Sequence, residues 1–243
     1  MSHRILLAGA TGAIGRRLTP LLVASGHHVV GTTRSAGKAD ELRGLGAEPA
    51  IVDVFDADAL MQVVIAAKPA IVIHQLTDLP RGLDPARMDE AIRRNARLRN
   101  DGTRNLVQAA IAAGARRLIA QSIAWAYAPG PEPHAESDPL DTDAEGIRKV
   151  SVGGIAALER LALESPPLEG IVLRYGQLYG PGTGTDAPTG ASPVHVDAAA
   201  WAALLAVDRG AAGVYNVTEQ NAYASTDKVR AALGWQPDFR LPA

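Results

Sequence analysis

A chain of 243 residues with 47% apolar side chains can bury a substantial core, which excludes disordered and fibrous classes. Its 24 Lys and Arg against 26 Asp and Glu leave a formal charge of -2, so no global field draws it to nucleic acid or an anionic membrane. The absence of cysteine removes disulfides, thiolate metal sites and cysteine nucleophiles, and suits a reducing compartment. No stretch approaches 18 uninterrupted apolar residues and the opening MSHRILLAGATG carries no long apolar leader, so the expectation is a cytoplasmic protein with no membrane partner.

The first strand is expected at Arg4 to Ala8 and runs directly into Gly9, Ala10, Thr11, Gly12, Ala13, Ile14 and Gly15, followed by a helix at 13–25. Glycines at this spacing between a strand and a helix make a tight turn, let a pyrophosphate approach the backbone, and let helix and strand pack closely. The second strand, His28 to Thr33, ends at Thr33, Arg34, Ser35 and then Lys38. An acid at that tip accepts from the ribose hydroxyls of NAD, whereas a cation accommodates the 2′-phosphate of NADP. Arg34 and Lys38 therefore point to NADP, with NAD as the alternative.

Helices at 38–45, 56–67, 86–113 and 145–164 alternate with strands at Pro49 to Val52, Ala70 to His74, Arg117 to Gln121 and Gly170 to Tyr175. Such alternation implies an α/β fold, a Rossmann-like doubly wound parallel sheet occupying residues 1–175. Eleven of the 16 prolines fall at or after Pro129, and segments 129–142 and 180–193 read as loops that cover a substrate. From Val194 a helix, a short strand at GVYNV and a last helix at STDKVRAALGW complete a small C-terminal region, 176–243, joined to the core as one compact unit.

With those elements in place the sequence resembles the short-chain dehydrogenase/reductase superfamily, in its extended and atypical branch of NAD(P)-dependent epimerases and dehydratases. The family's GxxGxxG matches Gly9, Gly12 and Gly15, and its acidic residue after the third strand matches Asp53, followed by Val54. Its His-Leu-Ala-Ala resembles His74, Gln75, Leu76 and Thr77. Its Asn-x-x-Gly-Thr-x-Asn-Leu is close to Asn100 through Leu106, with one spacer fewer. Leu173-Arg174-Tyr175 through Gly182, His195-Val196-Asp197 and Leu233-Gly234-Trp235-Gln236-Pro237 resemble further family segments in the same order. The resemblance implies that Thr11, Ala13, Ile14, Asp53, Val54, Gln75, Leu76, Thr77, Asn100 and Tyr175 join the glycines and Arg34 and Lys38 in holding the cofactor.

The chemistry departs from the family. Its Tyr-x-x-x-Lys pair falls on Ser151 and Ile155, so the tyrosine and its pKa-lowering cation are both missing. Ser122, at the end of the fifth strand, is a candidate for orienting a substrate oxygen, and Tyr127, Tyr175 and His134 are candidate substitute proton donors. Two functions follow: an NADP-binding oxidoreductase-like or epimerase/dehydratase-like protein acting on an unknown small molecule, or a non-catalytic NADP-sensing or regulatory protein.

Seven arginines between Arg81 and Arg104 suggest nucleic acid at first sight, but no aromatic stacking residues interleave with them. They read as a solvated or subunit-facing surface, compatible with a homodimer. The six histidines show no ligand spacing, so no metal is expected.

Overall fold

The computed structural model describes residues 1–80 and 84–242. Arg81 is therefore outside the described residues. Strands β1 (Arg4–Ala8), β2 (His28–Thr33), β3 (Glu48–Ile51), β4 (Ile71–His74), β5 (Arg117–Ile123) and β6 (Glu169–Tyr175) lie within two residues of their expected limits. Most of them read as near-continuous apolar runs because helices cover both faces of the sheet.

All pairings in the main sheet are parallel, in the order β3-β2-β1-β4-β5-β6-β9, where β9 is Gly213–Val217. The fold is thus doubly wound. Alternate residues of β1 face opposite layers. Ile5 and Leu7 pack with Leu18 and Leu22 of α1 (Ala13–Ala24) and with Ala199 and Ala203 of α7 (Val196–Asp208). Leu6 packs with Leu60 of α3 (Ala57–Ala67), Leu106 of α5 (Thr103–Ala112) and Leu158 of α6 (Gly146–Leu163). Alanine-rich α7 suits this arrangement, since small side chains let helix and sheet approach closely.

The C-terminal region does more than cap the core, because β9 pairs with β6 and completes the sheet. The expected helix from Val194 begins later. Pro193–His195 instead forms β8, which pairs in parallel with β7 (Gln177–Tyr179), and His195 caps α7 by accepting from the Asp197 amide at 3.2 Å. Helix α8 (Asp227–Leu233) stops at Gly234, whose φ of 68° favours glycine, and Trp235 then donates to the Ala198 carbonyl at 2.8 Å. The short α2 (Ala39–Gly44) follows β2.

The long helical segment expected at 86–113 is real but not uniform. A 3-10 turn at Pro85–Arg87 leads into α4 (Met88–Arg97), and a π-helical turn at Leu98–Gly102 joins α4 to α5. The direction of winding reverses between β1 and β4, and crevices at such reversals, outside the carboxyl ends of the strands, are where ligands bind.

Candidate functional site

The turn after β1 is shaped by contacts that leave no room for side chains. Gly9 has φ 88°, and a Cβ there would lie 2.5 Å from the Gln75 carbonyl oxygen. At Gly15 a Cβ would lie 2.2 Å from the Gly9 carbonyl oxygen. Gly12 caps α1 and donates its amide to Gly9 at 3.0 Å. Its surroundings are looser, since the nearest atom to a Cβ would be Gly9 O at 3.3 Å. The first turn of α1 contains no acid and no side-chain cap, so its amides stay free for an anion. This cradle fits the diphosphate of a dinucleotide.

A cavity of about 930 Å³ runs along this edge of the sheet. Gly9, Thr11, Gly12, Ala13 and Ile14 line its centre, while Gly15 lies beneath the turn and packs it. At one end Asp53 and Val54 contribute to the wall with Val52 and Leu60. Asp53 is oriented by the Phe55 amide, which donates to it at 3.0 Å, and Asn105 donates to the Val54 carbonyl at 3.0 Å. Arg34 and Lys38 stand at the rim. The Arg34 guanidinium is 3.7 Å from Asp78, which Arg94 also holds at 3.1 Å.

The tip of β4 contributes Gln75, Leu76 and Thr77. His74 before them is fully buried, with Nε2 2.9 Å from the Thr103 hydroxyl and Nδ1 accepting from the Leu76 amide at 3.2 Å. Nδ1 acts as acceptor, so the imidazole is the neutral Nε2–H tautomer. Burial first, then the Arg99 charge, lowers its pKa to about 4. Gln75 donates to the Tyr175 hydroxyl at 3.3 Å, and its buried Oε1 has no hydrogen-bond partner among the described residues. An orphaned acceptor in the cavity wall suits a ligand with amide or hydroxyl donors, which agrees with a dinucleotide. Tyr175 itself sits behind Gln75, outside the cavity lining, and burial pushes its phenol well above the ordinary range.

The far end of the cavity is walled by Gln121, Ile123, Trp125 and Ser151, with Gln177 and Leu178. Ser122 is not among them. Strand alternation turns it to the opposite side of β5, where its hydroxyl donates to Glu159 at 2.6 Å. Glu159 also receives Nε and Nη2 of Arg174 at 2.9 and 2.7 Å. The strand-end residue that faces the cavity is Ile123. Tyr127 is likewise withdrawn: its hydroxyl donates to Asn216 at 2.6 Å and its ring stacks on His134, with burial raising the phenol pKa. His134 is buried there too, 3.1 Å from Asp138. Neither reaches the cavity lining. Ser151 does reach it, while Ile155 is fully buried in an apolar cluster with Ile123, Ala126 and Val152.

Two further expectations change. Asn100 is exposed and accepts from Arg104 at 2.6 Å, whereas its neighbour Arg99 lines the cavity. The π-helical turn sets that phase. The arginine segment is thus not one solvated face: Arg94 pairs with Glu90 and Asp78, Arg97 lies over the Phe55 ring, and Arg99 turns inward. Of the two loops expected over the substrate, 180–193 supplies Gly182 to Thr185 and Thr189, but no residue of 129–142 lines the cavity. That loop is drawn to the sheet through Glu136, which accepts from the Asn216 amide at 2.9 Å. Among the described residues no group of three His, Asp or Glu is placed to hold a metal, and no helix is long and apolar enough to cross a membrane.

A doubly wound sheet with a glycine turn opening α1 and an elongated cavity over the strand ends defines a dinucleotide-binding protein. A family model described as NAD(P)H-binding matches residues 9–190, and the chain belongs to that family. A 3-diazoavenalumate denitrifying reductase from a Streptomyces species is 42% identical over 257 residues, 97% of this chain and 80% of that protein. A dTDP-4-dehydrorhamnose reductase of Streptomyces griseus is 30% identical over 179 residues, 74% of this chain and 51% of that protein. Among solved structures, UDP-glucose 4-epimerase of Thermotoga maritima with UDP-glucose gives a TM-score of 0.76 at 20% identity, over 99% of this chain and 94% of that one. UDP-glucuronic acid 4-epimerase of Bacillus cereus in complex with NAD gives 0.75 at 17% identity, over 99% and 94%. At that identity the structures share the fold.

Proposed function

We propose that this protein is an NAD(P)H-dependent reductase of a small molecule whose reacting carbon takes a hydride without a proton from the protein. The observation that carries this reading is the wall of Ile123, Trp125 and Ser151, backed by Ile155, where the family has its proton-donating machinery. A serine hydroxyl beside isoleucine has no cation to lower its pKa, and loss of general acid catalysis removes a factor of about 10² to 10⁴ from carbonyl reduction. The glycine turn and Gln75 would hold a dinucleotide, which would supply a hydride; at a diazonium carbon the new C–H bond would replace the C–N bond, whose electron pair would leave with dinitrogen, and no proton would be needed. The reductase with 42% identity, named for a diazo compound and for denitrification, supports a substrate of this kind.

The chain's own residues then bind and exclude. The α1 amides and Gln75 hold the dinucleotide, Trp125 and Ile123 offer an aromatic substrate an apolar face, and the 182–185 loop segment closes over the turn near Ala13. NADP is preferred over NAD, a preference supported by Arg34 and Lys38 at the rim. The lack of cysteine supports a cytoplasmic setting.

Purified protein is to be incubated with NADPH or NADH and either benzenediazonium or benzaldehyde, with the Gly12→Val variant as background. Diazonium consumption with dinitrogen release above that background, and no aldehyde reduction, is the expected result. Aldehyde reduced at ordinary enzyme rates, about 1 to 10³ per second, overturns the reading. Dinucleotide binding without turnover of either compound selects the regulatory alternative, which the missing Tyr and Lys also favour.

A further inference from the structure

We propose that Arg99 is the receptor for an oxyanion, a carboxylate or a phosphate, carried by the ligand in the cavity. The proposal rests on the reading of that cavity as a dinucleotide and substrate site. Arg99 belongs to the π-helical turn Leu98–Gly102 between α4 and α5, and such turns recur at functional positions because they rotate side chains out of the helical phase. Here Asn100 is left on the outside and Arg99 is presented to the cavity.

The other arginines of the cavity wall have acidic neighbours. Arg16 is bonded to Glu41, and Arg34 stands beside Asp78. Lys38 has no ion pair among the described residues, but it stands at the rim beside solvent. Arg99 makes neither a hydrogen bond nor an ion pair with any described residue, although its guanidinium carries five donors in a planar fork. Of the acids in this segment and in the cavity wall, Asp101 is bonded to Arg104 and Asp78 to Arg94, and Asp53 makes no ion pair among the described residues. His74 offers no relief, since its two ring nitrogens serve Thr103 and the Leu76 amide. Burial brings the Arg99 pKa down to about 10, so the group remains a cation at neutral pH. A partly buried cation without a counter-ion among the described residues costs stability, and an incoming oxyanion removes that cost while filling two donors at once.

Two sources can deliver the oxyanion. The dinucleotide brings phosphates, although the α1 amides already serve its diphosphate, and the substrate can bring a carboxylate. Arg99→Met and Arg99→Lys separate them. NADPH and NADH affinities are read from nicotinamide fluorescence, benzoate binding to the NADP⁺-saturated protein by calorimetry, and ligand-free stability by thermal unfolding. In Arg99→Met one of the two affinities falls about ten- to a hundred-fold, Arg99→Lys recovers part of it, and the ligand-free melting temperature stays level or rises. Loss confined to the dinucleotides assigns a phosphate. Loss confined to benzoate assigns a carboxylate. Unchanged dinucleotide affinity together with benzoate binding that is unchanged, or absent from the wild type, overturns the proposal, as does a fall in ligand-free stability with no change in affinity. Should Arg99→Met not fold, Arg99→Lys carries the same comparison, because a point charge cannot reproduce the bidentate fork.

Discussion

Ser122 donates its hydroxyl to Glu159 at 2.6 Å, and that bond removes the only serine of strand β5 from the cavity. Glu159 is at the same time clamped by Arg174, with both partners almost fully buried. Ser122 therefore belongs to the packing of α6 on the sheet.

Glu159→Gln leaves the Arg174 guanidinium buried without its charge partner, and breaking a buried pair from one side costs about 3 to 5 kcal/mol. Ser122→Ala removes one hydrogen bond and costs about 1 kcal/mol. Urea denaturation measures both. Dinucleotide affinity and turnover are unchanged in Ser122→Ala; a large fall in turnover at unchanged stability would return Ser122 to the chemistry.

Gly12→Val should fold yet fail to bind NADPH or NADH. A Cβ there meets the Gly9 carbonyl oxygen at 3.3 Å, a tight contact that a shift of a few tenths of an ångström relieves, but a branched side chain fills the space above the α1 amides. Circular dichroism establishes the fold and fluorescence titration the loss. Retained affinity in folded protein shows that the cofactor lies elsewhere.

Arg34→Ala should cost NADPH about ten- to a hundred-fold in affinity and leave NADH nearly unaffected, because a charged hydrogen bond to phosphate contributes about 1.5 to 3 kcal/mol. Asp78 competes for the same guanidinium from 3.7 Å, so Asp78→Asn should strengthen NADPH binding. Calorimetry with both dinucleotides decides. Equal losses for the two rule out a 2′-phosphate contact.

Stability should fall as pH drops from about 6.5 to about 4. Burial, reinforced by Arg99, holds the His74 pKa at about 4 in the folded state. The unfolded chain, with an ordinary histidine, binds the proton first across that window, so folding is penalised as the pH falls. The full effect is of the order of 3 kcal/mol, at about 1.4 kcal/mol per pKa unit. Urea midpoints taken across this range should show the slope, and His74→Gln should flatten it. An equal slope in both proteins assigns the acid sensitivity to other groups.

Much of the fold was legible because β1, β4, β5 and β6 are apolar on both faces and the glycine turn has one workable geometry. The lining of the cavity around the glycine turn follows from it. The reacting end was harder, since nothing local in Gln121-Ser122-Ile123 says which residue meets the cavity, and only the alternation of the strand separates Ser122 from Ile123. Asn100 matches the family asparagine in residue type but not in spacing. The spacing back from Gly102 and Thr103 instead leads to Arg99, and a π turn inside a helical pattern leaves no separate mark in composition. Tyr127 and His134 were drawn away by Asn216 and Asp138, partners distant in sequence or hidden in a loop.

The cavity-facing loop is pinched at its base. Strands β7 and β8 pair in parallel, and Gln177 accepts from both the amide and the hydroxyl of Ser192, at 3.1 and 3.0 Å. Within the loop, Gly180 donates to the Thr185 carbonyl at 2.8 Å, so its first half is internally braced. Residues between 186 and 191 are exposed and hang from this closed stem. Length and composition can therefore change between 186 and 189 without disturbing the seven-stranded sheet, because the stem already fixes the positions of both ends, whereas Gly190, with φ 74° and a Cβ position 2.5 Å from the Gln177 side chain, is held to glycine. Under the proposed function, the specificity of the cavity can change through this one segment while the glycine turn stays constant.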